Sequence, residues 1–206
     1  MARKTKEDAL ATRDSILDAA ERLFVAQGVS HTTLQHIATD AGLTRGAIYW
    51  HFEDKAALFA ALMERAKMPL EAAMYLLEKP NPEDPLTDLG HYIVGVFRLT
   101  MEDQRARSAF EIVTLKMEFV GEMDAARGRR MQWLSEWMAK TEKLIGIAIA
   151  HGSLKPGVTP RVAALGLFAL MDGLLRTWLL DQQAFDLVKV GQQIVDMHLD
   201  SLRVVK

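Results

Sequence analysis

An all-α fold of about nine helices is expected from three features of the chain. Apolar residues recur at the 3.6-residue helical spacing almost throughout, and strand-like alternation is nearly absent. Two stretches rich in proline and glycine, 80–85 and 152–160, interrupt the pattern where helices must stop. Half of the 206 residues are hydrophobic, enough for a sizeable core, and there is no cysteine to cross-link one.

The first helix is expected over 6–27, with Ile16, Ala20, Leu23 and Phe24 on one face. Gly28 ends it, because glycine takes the left-handed conformation that follows a helix C-terminus at no steric cost. Thr32 and Gln35 have the spacing of a capping box and are expected to open a short second helix. Its inward face is Leu34, Ile37, Ala38 and Ala41. Gly42 supplies a tight turn, Thr44 caps a third helix over 45–51, and Asp54 caps a fourth carrying Leu58, Leu62 and Ala66. Beyond the prolines, helices are expected over 86–100, 105–117 and 119–150. Pro156-Gly157 then makes a turn, and the last two helices cover 161–180 and 187–202.

Net charge is −2, and residues 1–51 carry six basic and six acidic side chains. Bulk charge therefore gives no support for nucleic-acid binding, and placement has to carry it. Arg3, Lys4 and Lys6 gather on an N-terminal arm, while Arg45, His51 and Lys55 surround the third helix. The N-terminus is charged where a signal peptide needs an apolar centre. The most apolar stretch, 162–180, is interrupted by Asp172 and Arg176, which a bilayer span normally excludes. A soluble cytoplasmic protein is expected.

Residues 32–55 read TTLQHIATDAGLTRGAIYWHFEDK. Two short helices joined by a glycine turn make a helix-turn-helix, whose second helix can enter the major groove. Thr44, Arg45 and Gly46 stand at the start of that helix, where base edges are read, and Gly46 lets the backbone approach the duplex. Tyr49, Trp50 and His51 combine aromatic bodies with hydrogen-bonding tips, whereas Ile48 and Phe52 belong to the core. Consecutive helical residues cannot all share one buried face. Thr33 and Lys55 are expected on phosphates.

The stretch from Ala11 to Phe24, followed by TTLQHIATDAGLTRGAIYWHFEDKAALF, resembles the DNA-binding domain of TetR-family repressors. The match covers about residues 10–62 without gaps. GAIYWHFEDKAAL is similar to the multidrug-efflux branch of AcrR- and TtgR-like repressors. The resemblance implies a helix-turn-helix domain over 1–54 and a ligand-binding and dimerisation domain over 55–206. It also implies a homodimer that reads a palindromic operator, with Thr33, Thr44, Arg45, Tyr49, His51 and Lys55 on DNA.

In the larger domain the eighth helix, VAALGLFALMDGLLRTWLL, is apolar nearly all round and so needs cover on both sides. Gly166 and Gly173 would let another helix come close. Leu187, Val190, Ile194, Met197 and Leu202 give the last helix a matching stripe, so two subunits could join through a four-helix interface. Asp172 and Arg176, one turn apart, can pair with each other or address polar groups of a ligand. Around them Phe97, Phe110, Thr114, Leu134, Trp137, Thr141, Phe168 and Met171 are expected to wall an adaptable hydrophobic pocket. Phe110 is a departure from the more polar pocket of the branch and suggests a drier, narrower one.

These readings give a repressor whose dimer holds an efflux-pump operator until a hydrophobic or aromatic effector releases it. The fourth helix, which joins the two domains, is the expected lever. The alternative effector is a fatty-acyl or aromatic-acid metabolite controlling a metabolic operon. No cofactor, metal or catalysis is expected. The six histidines are scattered without metal-ligand spacing, and there is no nucleophile elbow or phosphate-cradling glycine loop.

Overall fold

The computed structural model describes residues 6–74, 77, 81, 83–118 and 121–204. Its helices are α1 (Lys6–Gln27), α2 (Leu34–Asp40), α3 (Arg45–His51), α4 (Lys55–Met74), α5 (Pro85–Glu102), α6 (Gln104–Leu115), α7 (Asp124–Ala150), α8 (Pro160–Leu180) and α9 (Leu187–Leu202). Among the described residues the only β pairing is an isolated bridge between Leu154 and Arg203. The all-α expectation holds, and α1, α3 and α9 have the expected bounds. The seventh helix starts later than expected, at Asp124, after a 3₁₀ turn over Gly121–Met123. Phe119, where it was expected to begin, lies outside the described residues, as do Arg3 and Lys4 of the basic arm and Pro80 and Pro82 of the break.

Two compact units divide the described residues. The first runs up to Lys67 and includes Ser108–Arg129; the second lies within Met68–Arg107 and Arg130–Lys206. This is a division of packing, so α4 supplies residues to both units.

The first unit is built on a core of Ile16, Leu17, Ala20, Phe24, Ile37, Ile48, Phe52 and Leu58, joined by Ile112, Met123 and Ala126. Gly28 closes α1 with a φ of 85°, in the left-handed region. The turn that follows is tied to a distant stretch of chain, since the Val29 amide donates to the Lys116 carbonyl at 2.9 Å. On the other side of α1, the Arg65 guanidinium of α4 donates to Asp18 at 2.6 Å and Glu21 at 2.9 Å. Arg65 is largely buried, so this two-carboxylate clamp is stiffer than an exposed pair.

In the second unit, α9 buries Leu187, Gly191, Val195 and Leu199, one residue per turn. Its partner α5 packs so close that a Cβ on Gly191 would stand 2.6 Å from the Phe97 ring. Leu187 therefore belongs to the inner face of α9 and not to the expected outer stripe. Gly166 is likewise turned inward: a Cβ there would meet the His198 ring of α9 at 3.5 Å, whereas Gly173 faces open space. Burial pushes the His198 imidazole below its ordinary value.

The two ends of the second unit's chain are fastened together. Asp84 caps α5 by accepting from the Thr87 amide, and Pro85 follows at the first helical position, where its missing N–H costs nothing. Arg203, at the end of α9, donates to Asp84 at 3.1 Å and to the Thr87 hydroxyl at 3.1 Å. Burial alone would push the Asp84 carboxyl up, but the Thr87 hydrogen bonds and the Arg203 guanidinium outweigh it and hold the carboxyl below its ordinary value. A lowered folded-state value means that the stabilisation is complete above the ordinary carboxylate value and is lost as pH falls through the lowered one. Urea midpoints measured across acidic pH should therefore fall more steeply for the wild type than for Asp84→Asn, which keeps a cap but titrates no longer. Parallel curves would show that the pair contributes nothing.

Candidate functional site

Neither α2 nor α3 has more than seven residues, so their caps and inward faces matter more than their propensities. The cap of α2 is not the expected one. Thr33 is the N-cap and its hydroxyl accepts from the His36 amide at 3.1 Å, while His36 Nδ1 accepts from the Thr33 amide at 3.4 Å. Thr32, one residue earlier, is fully buried. Its hydroxyl donates to the Gly28 carbonyl at 2.7 Å and accepts from Gln27 at 3.1 Å, which removes it from any cap. Gln35 instead lies against Thr39, one turn on. The Thr44 and Asp54 caps are present as expected, accepting from the amides of Ala47 and Ala57.

α3 divides its side chains sharply. Ile48 is fully buried and Phe52 nearly so, while Tyr49 is 48% and Trp50 72% exposed. An indole that open to water, on a helix anchored from behind, is a surface for something other than the core. Trp50 meets the half-buried His51 edge to face at 4.5 Å. Arg45 lies over the Tyr49 ring, 5.4 Å from its centroid, and donates to its hydroxyl at 2.8 Å. The stack and the hydrogen bond restrict a side chain that would otherwise sample many rotamers. Thr44, Arg45 and Gly46 are all exposed.

A depression of about 420 Å³ opens between these elements, and Thr33, Arg45, Tyr49 and Lys55 line it together with Gln35, Glu53 and Asp54. Four of the eight expected contact residues thus share one concavity; Thr44, Gly46, Trp50 and His51 are outside its lining. Lys55, expected on a phosphate, is held from behind at the wall of this depression. It is only 8% exposed, and its ammonium donates to the carbonyls of Val29 and Thr32, both at 3.1 Å.

The residues expected around an effector fall in both units. Phe110 and Thr114, half-buried on α6, belong to the first. In the second, Phe97, Trp137, Thr141 and Met171 are buried, Leu134, Phe168 and Asp172 are half-buried, and Arg176 is exposed. Phe97 lies against the backbone of α9 at Gly191. Trp137 and Phe168 rings meet at 5.7 Å. The expected Asp172–Arg176 pair is not formed. Asp172 faces Arg130 of α7 at 3.7 Å, and the exposed Arg176 points elsewhere. Burial pushes the Arg130 guanidinium down while Asp172 pulls it back up. Arg130 was not singled out in the sequence, because nothing in an arginine-rich run marks the one that turns inward.

Trp137 Nε1 and Thr141 Oγ1, one turn apart on α7 and fully buried, have no hydrogen-bond partner among the described residues. Burial pushes the Tyr92 phenol well above its ordinary value, and the Trp137 N–H lies near enough to the phenol to oppose this without meeting the geometry of a hydrogen bond. Unpaired buried polar groups are costly, and retained ones call for an explanation such as a ligand that satisfies them. Thr141→Val, which keeps the shape and removes the hydroxyl, should raise stability by about 1 kcal/mol. Thermal melts would check this, and a lower melting temperature would mean that the hydroxyl is satisfied in the free protein.

Comparison with known proteins gives two family matches, one towards each end of the chain. Residues 16–62 match the model of bacterial regulatory proteins of the tetR family, and residues 84–204 match the C-terminal region of MAATS-type transcriptional repressors. The chain is 37% identical over 201 residues to the transcriptional repressor BepR of Brucella suis, covering 98% of this chain and 96% of the relative. Among solved structures it resembles NalD, the secondary repressor of the MexAB-OprM multidrug efflux pump in Pseudomonas aeruginosa. The TM-score is 0.86 at 35% identity, over 96% of this chain and 98% of the other. It also resembles SmeT, the repressor of the Stenotrophomonas maltophilia multidrug efflux pump SmeDEF, solved with triclosan. There the TM-score is 0.80 at 31% identity, over 94% of this chain and 92% of the other.

Proposed function

This chain belongs to the TetR family of bacterial regulatory proteins, and from that premise we propose that it represses a multidrug efflux operon by binding its operator as a dimer. The family is one of DNA-binding transcriptional regulators, not of enzymes. The observation that carries the proposal is the exposed face of α3: Arg45 braced on Tyr49, with Trp50 open to water, on a helix fixed by Ile48 and Phe52. Arg45 would meet base edges, with Thr33, Thr44, Tyr49, Trp50 and His51 on backbone and base surfaces. The reading part is residues 1–54, and 55–206 take the effector and the partner subunit, in the cytoplasm.

Dimerisation through α8 and α9 is supported by what the fold leaves uncovered. Val162 is 70%, Leu165 55%, Leu180 69% and Met197 72% exposed. Gly173 opens the same side of α8 to close approach. By length and composition alone α8 could cross a membrane. Its packed inner side and its Asp172–Arg130 pair suit a subunit interface better.

The effector is a hydrophobic molecule carrying a hydrogen-bond acceptor. Trp137 can only donate, and an acceptor oxygen would satisfy it, with Thr141 able to donate or accept. Phe97, Leu134, Phe168, Met171, Asp172 and Arg176, all of the second unit, complete the proposed set. Release from DNA requires only that the effector bind the operator-incompetent conformation better. An acyl or aromatic-acid metabolite remains the second reading, for which Arg176, exposed on α8, would take the acidic group.

Fluorescence anisotropy on DNA from upstream of the protein's own gene, across salt and with triclosan or other hydrophobic antimicrobials, tests the proposal. Salt-sensitive binding that such compounds reverse is expected. Release only by carboxylic acids would favour the metabolite reading, and failure to prefer any duplex over random DNA would overturn the DNA-reading role. Arg45→Ala should weaken operator binding by about 1–3 kcal/mol, and unchanged affinity would remove Arg45 from the interface.

A further inference from the structure

Arg13 of α1 carries a charge that its own helix cannot neutralise. The guanidinium lies over the Phe52 ring, 5.2 Å from its centroid, and the residue is half-buried. Three and four residues away along α1 stand Ala9, Leu10, Ile16 and Leu17, so no carboxylate reaches Arg13 by helical spacing. Carboxylates elsewhere in the unit are engaged with other groups. Asp18 and Glu21 hold Arg65, Asp40 holds Arg22, and Asp54 caps α4. Glu53 lines the depression beside Arg45. Among the described residues Arg13 forms no ion pair, and a ring contact leaves its N–H donors largely unused.

The ring beneath it ties Arg13 to α3. Phe52 is the C-cap of that helix, 5% exposed, and its ring stands 6.3 Å from that of His51. His51 in turn meets Trp50 edge to face. A run of rings thus leads from the exposed indole to the guanidinium on α1, at the C-terminal end of α3. Arg45, at the other end, opens on the depression it shares with Thr33. A helix of seven residues is about 10 Å long and the major groove about 12 Å wide. Groups at both ends of α3 therefore come within reach of the backbones that border the groove.

We infer that Arg13 is a further operator contact, which binds a phosphate at the end of α3 opposite Arg45 while Phe52 holds its guanidinium in place. This rests on the reading that the first unit binds operator DNA. A guanidinium suits the part, because its planar fork can donate two N–H groups to one phosphate while its face rests on a ring. The ring also restricts a long side chain before DNA arrives, which lowers the cost of ordering it. Such a contact sets position and carries no sequence.

The test uses a duplex selected from random sequence by the wild-type protein, with a random duplex beside it. Affinity for both is measured across salt for Arg13→Met, Arg13→Lys and Arg22→Met, each shown folded by circular dichroism. Methionine keeps an apolar cover on Phe52 and removes the charge, whereas lysine keeps the charge. Arg22, an exposed cation of the same helix paired with Asp40, reports the effect of charge alone. Arg13→Met should lower the slope of log affinity against log salt by about one per half-site. It should weaken binding to both duplexes by the same factor, so that the preference for the selected one stays. Arg13→Lys should keep most of the slope, and Arg22→Met should leave it as in the wild type.

An unchanged slope for Arg13→Met, whatever its affinity, would make Arg13 a cover for Phe52 and overturn the inference. An equal fall for Arg22→Met would make the effect one of overall charge and overturn it too. A lost preference for the selected duplex would move Arg13 to base edges, against a phosphate contact. Should Arg13→Met not fold, Arg13→Gln takes its place with the same expectations. A wild type that selects no duplex defeats the DNA-binding reading itself, whereas a selected duplex bound by Arg13→Met with the wild-type slope defeats this inference alone.

Discussion

Two helices of seven residues cannot persist alone in water, because each closes too few hydrogen bonds to offset the cost of starting a helix. Everything the first unit presents to DNA therefore depends on the core behind it. Ile37 of α2 and Ile48 of α3 are fully buried beside Ile16, Leu17, Ala20 and Phe24 of α1. That burial lets Tyr49 and Trp50 remain outside, where an isolated peptide would fold them onto itself. It also explains why the unit recruits chain from far away. Ile112, Met123 and Ala126 complete the core, and Lys116 supplies the carbonyl that the Val29 amide needs.

The second unit solves a different problem, which is to stay ordered while keeping polar groups unsatisfied inside it. Its order comes from the contact of α5 with α9, where Phe97 sits directly on the backbone at Gly191, and from the Asp84–Arg203 pair. Close-packed helices of this kind leave little room to relax. Trp137 and Thr141, one turn apart on α7, remain unpaired inside that packing.

Helix order and most helix bounds were legible in the sequence because apolar periodicity and caps act locally. Gly28, Thr44 and Asp54 each do what their chemistry predicts from neighbours within a few residues. What failed was long-range or involved competing partners. Thr32 and Gln35 have the spacing of a capping box, yet the Thr32 hydroxyl goes to Gly28 and leaves the cap to Thr33. Asp172 had a partner one turn away in Arg176, but Arg130 from another helix takes it. Lys55 looked like a surface cation, and only the folded turn of Val29 and Thr32 supplies the carbonyls that draw it inside. The exposed face of α3 was readable because exposure there follows from helical geometry alone. A lining for an effector could not be told from the core in the sequence, since apolar lining and apolar core have the same composition.

The turn between α1 and α2 gives the two ends of the regulatory problem a common element. Its amide is held by residue 116, at the end of the α6 region, and its carbonyls by Lys55, at the head of α4. Any effector acts by preferring one of two conformations, and the preference must appear as a difference in contacts somewhere in the DNA-reading unit. Arg65 binds α4 to α1 through Asp18 and Glu21, so the first turns of α4 move with α1 and not independently of it. A shift at residue 116 would act directly on the Val29 amide and on the turn that carries Thr33. The turn that carries Thr33 is thus held from residue 116 and from the head of α4 together, and a change at either would reach the same part of the DNA-reading unit.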